Sequence, residues 1–127
     1  MSDVPRKEKP VFGGVLRYFP DAIMEVAHHS KKGNDKHNPG EPMHWAKDKS
    51  KDHADCIARH LIDIGPNWDA IDEETKSYHA TALAWRALAL LQTILERPKK
   101  ESLQADTKSL YDLRVYYGTQ TKQEGDK

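Results

Sequence analysis

The sequence predicts an all-α protein, a small helical bundle with a long buried third helix, and two observations lead to this fold class. Three segments carry apolar residues at helical spacing between recognisable start and stop residues. The third segment is apolar on nearly every side, as is typical of a helix at the centre of a bundle or at a subunit interface. The chain has 127 residues, of which 37% are hydrophobic. This size indicates one domain with a modest core. Small domains of this kind bury little apolar surface, and oligomerisation commonly adds to their stability.

A first helix is predicted from Pro20 or Asp21 to Lys32. Proline suits the first helical position, and an aspartate there complements the positive end of the helix. Gly33 follows as a stop signal. The segment before this helix, from Val11 to Phe19, is mostly apolar and is expected to pack as an irregular lead-in.

A loop and a second helix follow. Residues 33–49 are predicted to form the loop, because Asn38-Pro39-Gly40-Glu41-Pro42 is strong turn chemistry, and loops of this length are often functional. The second helix is expected to begin at Ser50, a good N-cap, and to end near Ile64, before Gly65-Pro66. Its buried stripe is predicted to be Ala54, Ile57, Ala58, Leu61 and Ile64.

The third helix is predicted from about Asp72 to Arg97, where Pro98 ends it. Its first residues, DEET, are acidic, as the start of a helix prefers. His79 and Arg86 are its polar exceptions. They are seven residues apart and project from one face, so we expect them to share a site. On the second helix, His53 and His60 have the same spacing.

The chain is expected to divide into three regions. Residues 1–10 are charged and contain proline, which predicts a flexible arm. Residues 11–97 form the predicted helical catalytic domain. Residues 98–127 are expected to be a C-terminal docking arm followed by a disordered tail.

Composition excludes several classes of protein. Twenty basic and 20 acidic residues give a net charge of +0, so no global field draws the chain to nucleic acid or to an anionic membrane. Cys56 is the only cysteine, which rules out a disulfide framework or a zinc finger. With no signal peptide and no run of transmembrane length, we expect a cytoplasmic protein.

The candidate metal ligands are carboxylates. Asp52 and Asp55 are three residues apart on the predicted second helix, so both point the same way, and Glu25 on the first helix is the third candidate. Mg²⁺ and Mn²⁺ prefer such oxygen ligands and keep open positions for substrate phosphate. The alternative is a solvated face supported by an Asp55–Arg59 pair. The candidate catalytic residues are Asp55, Asp52, Glu25 and His79.

The loop and its neighbours supply candidate substrate-binding groups. Lysines and Arg86 would neutralise phosphates, and Arg86 cannot be buried without an anion or another acceptor. Asn34 and Trp45 would contact a base, although Trp45 could equally be a partly buried structural anchor. The full predicted set is Lys31, Asn34, Asp35, Lys36, Trp45, Lys49 and Arg86.

Three stretches carry a family resemblance: residues 33–42 (GNDKHNPGEP) with His44-Trp45, residues 52–60 (DHADCIARH), and residues 84–91 (AWRALALL). Over residues 17–96 the chain resembles phage-type dATP/dGTP diphosphohydrolases, which are all-α, MazG-like nucleotide pyrophosphohydrolases sometimes called MazZ. Their metals are commonly held on Glu-x-x-Glu and Glu-x-x-Asp pairs, whereas this chain has Asp52-x-x-Asp55.

The resemblance implies hydrolysis of a deoxypurine triphosphate to monophosphate and pyrophosphate, with Mg²⁺ or Mn²⁺ as cofactor. It also implies a homodimer or homotetramer, and the host cell cytoplasm as location if the chain is phage-encoded. Neither nucleic acid nor a membrane is an expected partner. Two alternatives stay open. One is an HNH-type metal-dependent nuclease, suggested by His37-Asn38 and the neighbouring histidines. The other is a non-enzymatic helical protein that dimerises through its third helix.

Overall fold

The structure is a computed structural model that describes residues 4–98. The chain divides into two compact units, Met1–Leu95 and Glu96–Lys127. The first unit is mostly helical and confirms the all-α prediction. The predicted docking arm and tail lie, apart from residue 98, outside the described residues, as do residues 1–3 of the predicted arm.

Two short helical turns precede the first long helix. A 3-10 turn spans Arg6–Glu8 and a π-helical turn spans Phe12–Leu16. Helix α1 then spans Pro20–His37. It passes through Gly33, the predicted stop, and ends one turn later before Asn38-Pro39, because a residue that precedes proline is disfavoured in the α-helical region. The predicted first helix was therefore too short by five residues.

Helix α2 spans His53–Ile64 and begins three residues later than predicted. Ser50, the predicted N-cap, instead accepts a hydrogen bond from the Arg86 guanidinium, and Asp52 occupies the cap position. Gly65 ends the helix with a φ of 55° and a ψ of −137°, a conformation that an L-residue rarely adopts.

The predicted start of the third helix was wrong. Residues 71–78 form a small antiparallel hairpin, in which β1 (Ile71–Asp72) pairs with β2 (Ser77–Tyr78), and helix α3 spans His79–Glu96. Asp72 closes the turn, since its carboxylate accepts hydrogen bonds from the Glu74 N–H at 3.0 Å and from the Thr75 hydroxyl at 3.2 Å. These side-chain hydrogen bonds offer the backbone an alternative to a helix.

The buried faces of α2 and α3 are partly polar. On α2 the buried residues are His53 and Cys56, whereas Leu61, from the predicted buried stripe, is 61% exposed. On α3 the buried residues are Thr81, Ala82 and Ala89. Small residues at these positions let α3 carry its long polar side chains on the inward face. Within residues 4–98, none of the helices combines the length and the apolar character that crossing a membrane requires.

Candidate functional site

Three potential metal ligands converge where α2, the hairpin and the start of α3 meet. They are His60, Asp72 and His79, and one ligand atom from each lies within 4.8 Å of the others. The Nδ1 atoms of the two histidines are 3.0 Å apart. All three residues are half-buried, and they are the one group of this kind among residues 4–98. We refer to them as the His-Asp-His cluster.

The hairpin brings Asp72 and His79, which lie at its two ends, close together. Asp72 is the last residue of β1, and its Cα partner across the hairpin is Ser77. The His79 N–H then donates a 2.9 Å hydrogen bond to the Ala70 carbonyl, which holds the first turn of α3 against the base of the hairpin. The strand pairing therefore fixes Asp72, and the hydrogen bond to Ala70 fixes His79.

Helix α1 supports the hairpin from behind. The Lys32 ammonium donates to the carbonyls of Thr75 and Lys76 at 3.2 and 3.3 Å and to the Ser77 hydroxyl at 3.1 Å. The buried Ser77 hydroxyl also lies 3.3 Å from Nδ1 of His29. Lys32 thus ties α1 to the turn that carries Asp72. Neither Lys32 nor Ser77 was among the predicted site residues.

The surroundings of His60, and of the neighbouring His29, favour the neutral imidazole. Burial lowers the pKa of His60 below its usual value, with a further lowering from His79 and an opposing effect from the Asp72 carboxylate. Burial also lowers the pKa of His29, reinforced by the Lys32 ammonium and by His60. Metals bind the deprotonated imidazole, so this environment presents His60 in the form that can act as a ligand.

A second pair of side chains lies further along the same two helices. The Arg86 guanidinium is 3.1 Å from Nδ1 of His53 and 3.3 Å from the Ser50 hydroxyl. His53 and His60 are seven residues apart on α2, and His79 and Arg86 are seven apart on α3. The two antiparallel helices therefore meet at matched positions, His60 with His79 and His53 with Arg86. The predicted common face of His79 and Arg86 agrees with these contacts.

The loop between α1 and α2 packs on this second pair. Trp45 is half-buried, with its ring edge-on to Trp85 at 5.7 Å between centroids and tilted against His53 at 6.5 Å. The Lys47 ammonium lies 5.2 Å from the Trp45 ring centre. A shallow cavity of about 370 Å³ opens here, lined by His44, Trp45, Ala46, Lys47, Asp48 and Lys49. It falls within the range of small-ligand sites.

The predicted metal-binding acids do not meet. Glu25 is exposed on α1, and Asp55 is exposed in the first turn of α2. Asp52 is exposed at the cap position, 3.6 Å from the Arg59 guanidinium, and accepts a 3.6 Å hydrogen bond from the Cys56 thiol. None of the three acids belongs to the His-Asp-His cluster. Their role as ligands stays a prediction without support from the geometry.

Several predicted substrate-binding residues already have protein partners. Lys31 pairs with Asp35 at 2.6 Å, and Lys36 pairs with Glu74 at 2.7 Å, both at the surface. Asn34 is buried, where its amide donates to the Glu41 carbonyl and its side-chain oxygen accepts from the His44 N–H. Asn34 therefore folds the loop that carries Trp45. Lys49 is exposed and lines the cavity.

Two cluster residues were missed from the sequence. Asp72 was assigned to the acidic start of a helix, and only its hydrogen bonds to Glu74 and Thr75 identify the turn. His60 lay on a helix face that was read as separate from the buried stripe. The equal spacing of His53–His60 and His79–Arg86 was the signal that would have found it, because matched spacing on two antiparallel neighbours predicts two contacts.

Comparison with known proteins supplies the family. A profile described as dATP/dGTP diphosphohydrolase, N-terminal, matches residues 6–103, which include every residue of the His-Asp-His cluster and of the Arg86 pair. No curated protein and no solved structure matches the chain. The match extends over most of the 127 residues, and the chain therefore belongs to the family of the dATP/dGTP diphosphohydrolase N-terminal region.

Proposed function

We propose that the chain hydrolyses deoxypurine triphosphates, dATP and dGTP, to monophosphate and pyrophosphate, with a divalent metal held by His60, Asp72 and His79. The observation that carries the proposal is the 3.0 Å approach of two imidazole Nδ1 atoms beside a carboxylate. Two such nitrogens share a single proton at most, and a cation between them would use both lone pairs. The family match supports the nucleotide substrate.

The donor set bears on which metal fits. Two imidazoles and one carboxylate form the facial set that suits divalent transition metals, whereas Mg²⁺ prefers oxygen ligands and water. The cluster therefore favours Mn²⁺ over Mg²⁺, the two cofactors that the sequence predicted. When bound, the ion would polarise a phosphate oxygen and lower the pKa of a coordinated water.

The surrounding residues would bind and orient the nucleotide. Trp45 borders the cavity beside Lys47 and Lys49, and its indole offers a ring on which a purine can stack. Asn34 would hold the loop in the shape that presents this ring. Lys32 and Ser77 would keep Asp72 in place through the hairpin. Attack of water at the α-phosphorus would then release pyrophosphate.

The decisive experiment pairs metal binding with product analysis. Calorimetry with Mn²⁺ alone is expected to show tight binding to the wild type and loss of binding in Asp72→Asn. The matched control is Asp55→Asn, an exposed acid of the original prediction, which should bind Mn²⁺ normally. Chromatography of products from all dNTPs should show monophosphate and pyrophosphate. If Asp55→Asn abolishes metal binding and Asp72→Asn does not, the metal lies at the predicted acids.

One observation favours a second candidate function. The hairpin and α3 form a ββα arrangement with Asp72 and His79 at its junctions, and an HNH-type nuclease would require a ββα arrangement around its histidines. It occurs at residues 71–96, not around His37-Asn38, which lies at the end of α1. Incubation with plasmid DNA and Mn²⁺ separates the two, since only a nuclease would nick the plasmid while leaving dNTPs intact.

A homodimer or homotetramer stays part of the proposal. Leu88, Leu91 and Leu95 recur at helical spacing on α3, and each is about half exposed, at 53%, 51% and 49%. Such a stripe is suited to packing against a second copy. A location in the cytoplasm likewise stays a prediction.

A further inference from the structure

We propose that Arg86, with Ser50, His53 and the amino end of α2, forms a second anion-binding subsite that takes a phosphate group independently of the metal. The identification of the anion as the phosphate chain of a nucleotide rests on the proposed function. The subsite itself rests on four observations about Arg86 and its surroundings.

The first observation is that Arg86 is half-buried and makes no ion pair within residues 4–98. Its guanidinium contacts the Ser50 hydroxyl and Nδ1 of His53 and lies 5.7 Å from the Trp85 ring centre, and the exposed Asp52 carboxylate attracts it only from beyond 4.0 Å. A guanidinium withdrawn from water without an anion is costly, and arginine is rarely placed so without a charged partner. Its five donors in a planar fork match phosphate oxygens.

The second observation is the position of this guanidinium at the start of a helix. His53 is the first residue of α2, a helix of 12 residues. Its first backbone N–H groups have no intrahelical acceptor, and Asp52 makes no side-chain capping bond to them. The Asp52 carboxylate instead contacts Arg59 and Cys56. The Asp52 carboxylate at the cap position offsets part of the repulsion between this guanidinium and the positive end of the helix, and a bound phosphate would offset the rest.

The third observation is a buried donor on His53. The residue is 4% exposed, and Arg86 can only donate to Nδ1, so the imidazole proton resides on Nε2. That Nε2 is buried and has no hydrogen-bond partner within the described part of the chain. Buried donors are nearly always paired, so this nitrogen marks a place where an ordered water or an acceptor on a ligand would be bound.

The fourth observation is the spacing between the two sites. Seven residues separate Arg86 from His79 on α3, a rise of roughly 10 Å along the helix. Trp45 lies at the Arg86 end of this distance, since its ring contacts Trp85, the residue before Arg86, and His53, which Arg86 also contacts. The metal cluster and the Arg86 subsite are therefore separate positions along the same two helices, and the loop that carries Trp45 packs at the second of them.

Binding of inorganic tripolyphosphate in the presence of EDTA tests the subsite. Calorimetry should show binding to the wild type that weakens about tenfold or more in Arg86→Gln, as expected on loss of a charge-assisted hydrogen-bonding group. Arg86→Lys should bind with intermediate affinity, because it keeps the charge and loses the fork. The matched control is Arg59→Gln, which removes an exposed arginine from the middle of α2 and should bind like the wild type.

Three outcomes would overturn the subsite. They are equal binding by wild type and Arg86→Gln, equal weakening in Arg86→Gln and Arg59→Gln, and Arg86-dependent binding of deoxyguanosine without tripolyphosphate. If Arg86→Gln fails to fold, Arg86→Lys against Arg59→Lys makes the same comparison. The assay contains no divalent ion and no turnover. Failure of the metal site or of hydrolysis would therefore leave this result standing, and the converse also holds.

Discussion

Single side chains in this protein make contacts that their chemistry alone did not indicate. Asn34 was predicted to contact a base, and its side chain hydrogen-bonds two backbone groups of the loop, at Glu41 and His44, so the base contact stays a prediction. The seven-residue spacing of His79 and Arg86 predicted that both lie on one face of α3, and both contact α2. Spacing could not place Asn34, since nothing in the sequence indicates whether a polar side chain faces solvent or backbone.

We predict that Asn34→Ala lowers the free energy of unfolding by about 1–3 kcal/mol, because two hydrogen bonds made by a buried side chain are lost. Denaturant unfolding measures this. Asp35→Ala removes only an exposed ion pair with Lys31, and its effect should stay below roughly 0.5 kcal/mol. Equal stability of the Asn34 variant and the wild type would return Asn34 to the role of a base reader.

Titration of His29 makes a prediction for the metal-free protein. Burial, the Lys32 ammonium and His60 lower the pKa of His29 in the folded state, below its ordinary 6.5. The unfolded chain therefore binds its proton first as the pH falls. Stability is complete above the ordinary pKa and declines as the pH drops from there toward the folded value.

The melting temperature in EDTA should accordingly fall between about pH 7.5 and about pH 5.5. The His29→Gln variant should lose less of its melting temperature over the same interval, because one proton-linked group is gone. A wild type and variant with parallel pH profiles would show that His29 is not responsible.

At the scale of elements, the sequence located all three helices and the end of α2 at Ile64, but it misplaced the end of α1 and the starts of α2 and α3. Pro39 explains the end of α1 and Gly65 explains the end of α2, and both signals can be recognised in the sequence. The hairpin was missed because DEET satisfies two rules at once. It suits a helix start by charge, but Asp72 and Thr75 also make the side-chain hydrogen bonds of a turn. Lys32, more than forty positions away, donates three hydrogen bonds to residues 75–77 and so favours the turn over the helix.

The hairpin therefore makes a prediction about Lys32. Removal of its ammonium in Lys32→Met deletes three hydrogen bonds to the turn that carries Asp72. We expect Mn²⁺ affinity to fall about tenfold or more, the usual cost of losing a residue that orients a metal ligand. Calorimetry measures the affinity, with circular dichroism to verify folding.

Lys31→Met is the matched control, because Lys31 is the preceding residue and contacts only the exposed Asp35. It should bind Mn²⁺ as the wild type does. If both variants bind equally well, the hairpin holds Asp72 without help from α1.

At the scale of the whole molecule, overall charge and local charge carry different information. The net charge of +0 indicated no global field that would draw the chain to nucleic acid or to an anionic membrane. Lys47 and Lys49 nevertheless line the cavity in the loop, Arg86 contacts Ser50 next to that loop, and the exposed acids Glu25 and Asp55 are not part of the cluster. Composition averages over this separation, so a neutral protein can still carry a local site for a small anion.

The apolar surface of the molecule leads to the last prediction. Leu88, Leu91 and Leu95 expose about half their surface on α3, while small residues such as Ala82 and Ala89 occupy its inward face. An isolated helix bundle buries its large apolar side chains, whereas this helix exposes them and turns small ones inward. A second copy packed along this stripe would restore the usual arrangement, so we expect a dimer or tetramer in sedimentation equilibrium at micromolar concentration.

Leu91→Lys should shift this oligomer toward the monomer, whereas Met24→Lys, at a 70% exposed position on α1, should not. A wild-type monomer, or identical behaviour of the two variants, would mean that the stripe is covered within the chain itself.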